Sequence, residues 1–122
     1  MTPLNILVVE DDAMVGAVLA EMLAGLGHEI CSIQRTEEDA IAAAALRKPD
    51  LMIVDLKLAE GTGVATVERI SRGGPIPHVF MSGNGFFTTI NGNVLLTKPF
   101  READLIRAIS RALGHGGIVV TA

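Results

Sequence analysis

The sequence predicts an α/β fold, a parallel sheet of five strands covered by helices on both faces. Three observations carry that prediction. Short, almost wholly apolar runs recur along the chain, the pattern of strands buried on both sides rather than one. Between most of them, apolar residues return at helical spacing. The two patterns alternate from the first residues to about Leu113, as a parallel sheet with crossover helices requires.

Each element has its own signature. Asn5 to Val9 (NILVV) is the first strand. Val15, Val18, Leu19, Met22, Leu23 and Leu26 then fall on one face of a helix that Gly27 is placed to end. Glu29 to Ile33 reads as a short strand, and Thr36-x-x-Asp39 opens a second helix with acids in its first turn, where the helix dipole favours them. Leu51 to Val54 (LMIV) follows Pro49 as a third strand, and Val64, Val67 and Ile70 share one side of a third helix. Pro75 and Pro77 bracket a turn into a fourth strand, His78 to Met81. Val94 to Leu96 is the fifth, and Leu105, Ile106, Ile109, Ala112 and Leu113 line a closing helix. One crossover departs from the rule. Gly73 to Thr97 carries no Asp, Glu, Lys or Arg, and Gly83, Gly85, Asn91, Gly92 and Asn93 surround Phe86, Phe87 and Ile90, so the fourth of the five helices is expected to be short or irregular.

At 122 residues the chain is one domain, large enough to form a core without disulfides or a structural metal. The expected boundaries are 1–113 for the domain and 114–122 for a flexible C-terminal tail, with no repeat and no output domain. The lone Cys31, between Ile30 and Ile33, is read as a small core residue. Mean hydropathy is +0.44, yet no window holds about 18 consecutive apolar residues, and the start lacks a signal peptide's basic and apolar regions. A cytoplasmic protein with no membrane partner is the expectation. Ten Lys and Arg stand against fourteen Asp and Glu without a basic run, which argues against nucleic acid as a partner.

In open α/β sheets ligands bind outside the carboxyl ends of the strands, where strand order reverses. The residues there are Glu10, Asp11 and Asp12 after the first strand, Asp55 after the third, Ser82 and Gly83 after the fourth, and Thr97, Lys98 and Pro99 after the fifth. If the first and third strands are neighbours, Asp55 faces the acidic run, and the carboxylates repel unless a cation intervenes. A hard divalent ion with oxygen ligands, most plausibly Mg²⁺, resolves that conflict and keeps an open position for a phosphate oxygen. The plainer alternative is that Glu10, Asp11 and Asp12 cap the first helix. His28, His78 and His115 share no metal-ligand spacing and read as surface or loop residues. Gly83-x-Gly85 lacks the third glycine of a dinucleotide fingerprint.

In the motifs Ile6-Leu-Val-Val-Glu-Asp-Asp12, Asp55-Leu-Lys-Leu58 with Gly61 and Gly63, Phe80-Met-Ser-Gly83 and Lys98-Pro-Phe100, the chain resembles the response-regulator receiver domain of two-component signalling. Each motif alone is weak; the ordered set at strand ends is specific and covers Ile6 to about Leu113. The resemblance implies a doubly wound, flavodoxin-like sheet of order 2-1-3-4-5 in a bacterial phosphorelay protein. It implies Asp55 as phosphoacceptor and Lys98 pairing with Asp55 before transfer and with a phosphoryl oxygen after it. Ser82 would donate to another phosphoryl oxygen, and Gly83 would leave the approach open. For Mg²⁺ it implies Asp11 and Asp55 as direct ligands, Glu10 through water, and the Lys57 main-chain carbonyl. It also implies a cis Lys98-Pro99 bond and, as partners, a sensor histidine kinase or phosphotransfer protein and a downstream protein. The chain would be a monomer or weak dimer, with self-catalysed transfer and autodephosphorylation rather than enzyme turnover.

Three departures qualify the resemblance. Leu95 stands where many receivers carry Tyr or Phe, three residues before the lysine. The Ser82 to Lys98 interval is short, by about a helical turn or more, a look shared more loosely with a subset of bacterial single-domain receivers. Lys57 and Asn84 occupy the positions where the family tunes hydrolysis. Phosphorylation of Asp55 is expected to pull on Ser82 and order Asn84 to Asn93, with the packing of Phe86 and Phe87 against the sheet as the alternative. The Ile118-Val119-Val120 tail could extend a partner's sheet edge or fray. Two rival functions follow: a receiver fold that binds partners without phosphorylation, and a flavodoxin-like cofactor binder, disfavoured because acids replace a phosphate loop after the first strand.

Overall fold

A computed structural model describes residues 2–83 and 94–114. The strands are β1 (Asn5–Val9), β2 (Glu29–Gln34), β3 (Leu51–Asp55), β4 (His78–Ser82) and β5 (Val94–Thr97). The helices are α1 (Ala13–Gly25), α2 (Glu37–Leu46), α3 (Gly63–Ser71) and α4 (Glu102–Ala112), the last being the predicted closing helix. The sheet is all parallel with order β2-β1-β3-β4-β5, so strand order reverses at β1 and β3. The predicted short or irregular crossover element, with Phe86 and Phe87, lies outside the described residues, as do His115 and the Ile118-Val119-Val120 tail.

The buried residues of β1 sort alternately into two layers, because successive side chains in a strand point to opposite faces. Ile6 and Val8 pack with Leu19, Leu23, Leu105 and Ile109 from α1 and α4. Leu7 and Val9 pack with Ala40, Ala44, Val67 and Ile70 from α2 and α3. That two-sided burial is why the strands read as unbroken apolar runs. Local chemistry ends and starts the helices as expected: Gly27 follows α1 at φ +96, and Thr36 caps α2 by accepting from the Asp39 backbone N–H at 3.2 Å.

Several residues sit differently from their predicted places. Val18 is 53% exposed, because α1 turns the narrower seam Gly16, Leu19 and Leu23 to the sheet and leaves Val18 with Met14 on the outer flank. Cys31 is half-buried rather than core: β2 is an edge strand, and its register against β1 shifts there by one residue. His28 lies in the turn after α1 yet is buried, its Nδ1 accepting the Leu4 backbone N–H at 3.0 Å. Among the described residues, no helix is long and apolar enough to cross a membrane.

Candidate functional site

The carboxyl ends of β1, β3, β4 and β5 converge on a cavity of about 530 Å³ lined by Asp11, Asp55, Leu56, Lys57, Ser82, Gly83 and Lys98. Glu10 lies beneath it, 1% exposed, at the point where β1 ends. Every predicted site residue is therefore brought together. The sheet does the positioning. Glu10 N–H donates to the Gln34 carbonyl at 2.8 Å, Leu56 N–H to Met81 at 2.9 Å and Lys98 N–H to Ser82 at 2.8 Å, so the ladder holds the backbone on both sides of the pocket.

Lys98 is the electrostatic centre. Its Nζ donates to Glu10 Oε1 at 2.6 Å and to Asp55 Oδ2 at 3.1 Å, the Lys98-Pro99 peptide being cis. The pairing with Asp55 was expected; the closer one with Glu10 was not. Burial alone would lower the Lys98 pKa, but the hydrogen bonds to Glu10 and Asp55, together with their charges, outweigh it and hold the ammonium above its ordinary value. Both Glu10 oxygens are engaged, since Oε2 accepts the Asp12 N–H at 3.1 Å. Asp55 Oδ1 accepts the Lys57 N–H at 3.4 Å.

Asp12 resolves one of the open alternatives. Its Oδ1 accepts from Met14 and Val15 N–H at 2.9 and 3.1 Å, which makes it the N-cap of α1. Glu10, Asp11 and Asp55 instead face one another, each offering a carboxylate oxygen within 4.8 Å of the others. Three carboxylates therefore crowd the pocket floor, and the Lys98 ammonium is hydrogen-bonded to two of them, Glu10 and Asp55. Oxygen donors alone, in a negative pocket open to solvent, fit a hard divalent cation.

The turn after Asp55 is set by glycine. A Cβ on Gly63 would lie 2.2 Å from the Asp55 carbonyl oxygen, so the first turn of α3 rests directly on the backbone of the central aspartate. Two neighbours of the site were not singled out from sequence. Arg35, just after β2, donates from Nε to the Asp11 carbonyl at 3.0 Å, and Glu37 binds the loop that follows Asp55. Their position after a strand end was the available signal, but a lone Arg or Glu there does not stand out from solvated charge.

A doubly wound sheet with an acidic switch point and a lysine reaching in from the last strand defines a receiver-type fold. The chain belongs to the response regulator receiver domain family of two-component signalling, whose model matches residues 6–110. It is 30% identical over 115 residues to the phyllosphere-induced regulator PhyR of Methylorubrum extorquens, covering 89% of this chain and 43% of that protein. It is 32% identical over 119 residues to the transcriptional regulatory protein PdtaR of Mycobacterium tuberculosis, covering 93% of this chain and 58% of that one. The solution structure of the Erythrobacter litoralis PhyR receiver domain superposes with a TM-score of 0.82 at 29% identity, covering all of this chain and 98% of that one. The chain thus spans about half the length of the curated relatives it matches.

Proposed function

We propose that this chain is a phosphorylatable switch that takes a phosphoryl group from a phosphohistidine donor onto Asp55, in the cytoplasm of a bacterium, and signals through protein contacts. The observation that carries the proposal is the single cavity shared by Asp55, Ser82 and Lys98, with Lys98 Nζ 3.1 Å from Asp55 Oδ2. In the transfer, an Asp55 carboxylate oxygen forms a bond to phosphorus in line with the breaking P–N bond. The imidazole nitrogen leaves with the bonding pair, and an acyl phosphate remains. Lys98 moves its ammonium from Asp55 Oδ2 to a phosphoryl oxygen, and Ser82 donates its hydroxyl proton to another. Gly83, where an added Cβ would meet nothing within 4 Å among the described residues, leaves the entry open. Mg²⁺ when bound neutralises charge on the phosphoryl oxygens; Asp11 and Asp55 would hold it, with Glu10 through water and the Lys57 carbonyl.

A sensor kinase or phosphotransfer protein is the proposed donor, and a protein the proposed target. The regulatory names of PhyR and PdtaR support a signalling role, and membership of the receiver family supports a phosphohistidine donor. Incubation with a small-molecule phosphodonor and Mg²⁺, followed by intact mass, tests it. The parent should gain one phosphoryl group and Asp55→Asn none. A parent that gains none under any metal condition would leave the phosphorylation-independent interaction module in its place.

A further inference from the structure

We infer that Glu37, which begins α2 and lies outside the cavity, is a positioning residue for the loop that carries the phosphoacceptor. The inference rests on the proposed role of Asp55 and goes on to say what holds that role's geometry. Loop 56–62 leaves β3 at Asp55 and returns to it: Gly63 N–H donates to the Leu56 carbonyl at 2.9 Å, and Lys57 and Thr62 form an antiparallel bridge. The loop thereby sets both the Lys57 carbonyl and the Lys57 N–H that Asp55 Oδ1 accepts at 3.4 Å.

Glu37 grips the far side of this loop at two residues, Glu60 and Thr62. Its backbone N–H donates to the Glu60 carbonyl at 3.2 Å, and its Oε1 accepts the Thr62 N–H at 3.3 Å. Between those two, Gly61 sits at φ +92, where a Cβ would lie 2.6 Å from Glu37 Cβ. Only glycine lets the loop come this close. The other carboxylate oxygen accepts from Arg69 Nη1 at 2.8 Å, which ties the same side chain to α3. The hydrogen bond from Arg69 holds the Glu37 carboxyl below the ordinary carboxylate range, so both of its oxygens serve as acceptors, one toward the loop and one toward α3. Glu38 supplies the control. It pairs with the same Arg69 but its side chain is 74% exposed against 15% for Glu37, and among the described residues its side chain bonds to Arg69 rather than to the loop.

The test compares the parent with Glu37→Ala, Glu37→Gln, Glu38→Ala and Gly61→Ala, measuring Mn²⁺ affinity by electron paramagnetic resonance, metal-free amide exchange at residues 56–62, melting temperature and phosphodonor labelling. Residues that orient metal ligands typically change affinity by 10–100-fold, so Glu37→Ala should weaken Mn²⁺ about tenfold and speed exchange at Lys57 and Thr62. Gly61→Ala, which keeps the carboxylate but forces the loop off it, should do the same. Glu37→Gln, whose amide oxygen can still accept from Thr62, should restore most of the affinity. Glu38→Ala should lower the melting temperature without moving Mn²⁺ binding. Parent-like affinity in both Glu37→Ala and Gly61→Ala, or equal weakening by Glu38→Ala, overturns the inference, as does a parent that binds no Mn²⁺. A parent that binds Mn²⁺ but takes no phosphoryl group overturns the proposed function instead, and the affinities still decide the role of Glu37.

Discussion

The two ends of the sheet bury polar groups in opposite ways. At the carboxyl end, Glu10 and Asp55 share the Lys98 ammonium while Asp11 stands within 4.8 Å of both carboxylates. At the amino end, groups close on one another: His28 Nδ1 accepts the Leu4 N–H at 3.0 Å and Asp50 Oδ2 accepts the Asn5 N–H at 2.8 Å. Both ends belong to the same strands, so the strands themselves do not decide which end reacts. What differs is charge balance. At the amino end Asn5 Oδ1 and His28 Nε2 are buried with no hydrogen-bond partner among the described residues, whereas the carboxyl end gathers three carboxylates that could hold a cation.

The contrast can be broken most forcefully at Lys98. Lys98→Ala should destabilise the fold by about 4 kcal/mol in denaturant titration, because it leaves Glu10, whose side chain is fully buried, and Asp55 facing each other with no cation. Added Mg²⁺ should recover much of the loss through binding to the folded state alone. A loss no larger than that of a surface lysine would show that the carboxyl end is not charge-strained. His28→Ala, at the other end, should cost about 1 kcal/mol by removing the acceptor of the part-buried Leu4 N–H, with Mg²⁺ affinity unmoved. Asp11→Asn should act in the reverse direction and stabilise the metal-free protein by about 1 kcal/mol, since it removes one of three mutually repelling carboxylates while ending metal response.

The smallest effect is with pH, and it belongs to the amino end. Burial holds the His28 imidazole below its ordinary 6.5. The unfolded chain therefore takes up a proton there before the folded one does. Stability contributed by neutral His28 is complete above 6.5 and is lost as pH falls toward the depressed folded value. Glu37 and Asp104, held low chiefly by Arg69 and by the Arg101 backbone N–H, lose their contributions only below their ordinary 4.5 and 3.8, so the windows separate. Thermal melts between pH 5 and 7 should show a slope that His28→Gln removes; an unchanged slope would place the titration elsewhere.

Most of the fold was legible because parallel strands buried on both faces leave an apolar signature that side-chain chemistry does not dilute. Asn5–Val9 and Leu51–Asp55 are of this kind, and their ends delivered Glu10 and Asp55 to the right place. The edge was less legible. Residues of Glu29–Gln34 are half-buried or exposed, so Cys31 looked like core from its neighbours' identity alone. His28 was hidden for the opposite reason: its burial depends on Leu4, 24 residues away in sequence. The Glu10 to Lys98 ion pair spans 88 positions, and local pattern does not encode which of several acids a distant lysine prefers. Glu37 escaped notice because an acid in a helix's first turn already has a sufficient local explanation.

The ladder bond from Lys98 N–H to the Ser82 carbonyl closes the pocket from behind. The hydroxyl and the ammonium proposed to grasp a phosphoryl group are thus spaced by the pitch of the sheet, whatever length of chain joins them. A change in chain length between β4 and β5 should therefore leave the Ser82 to Lys98 spacing unmoved, because that spacing is a property of strand register.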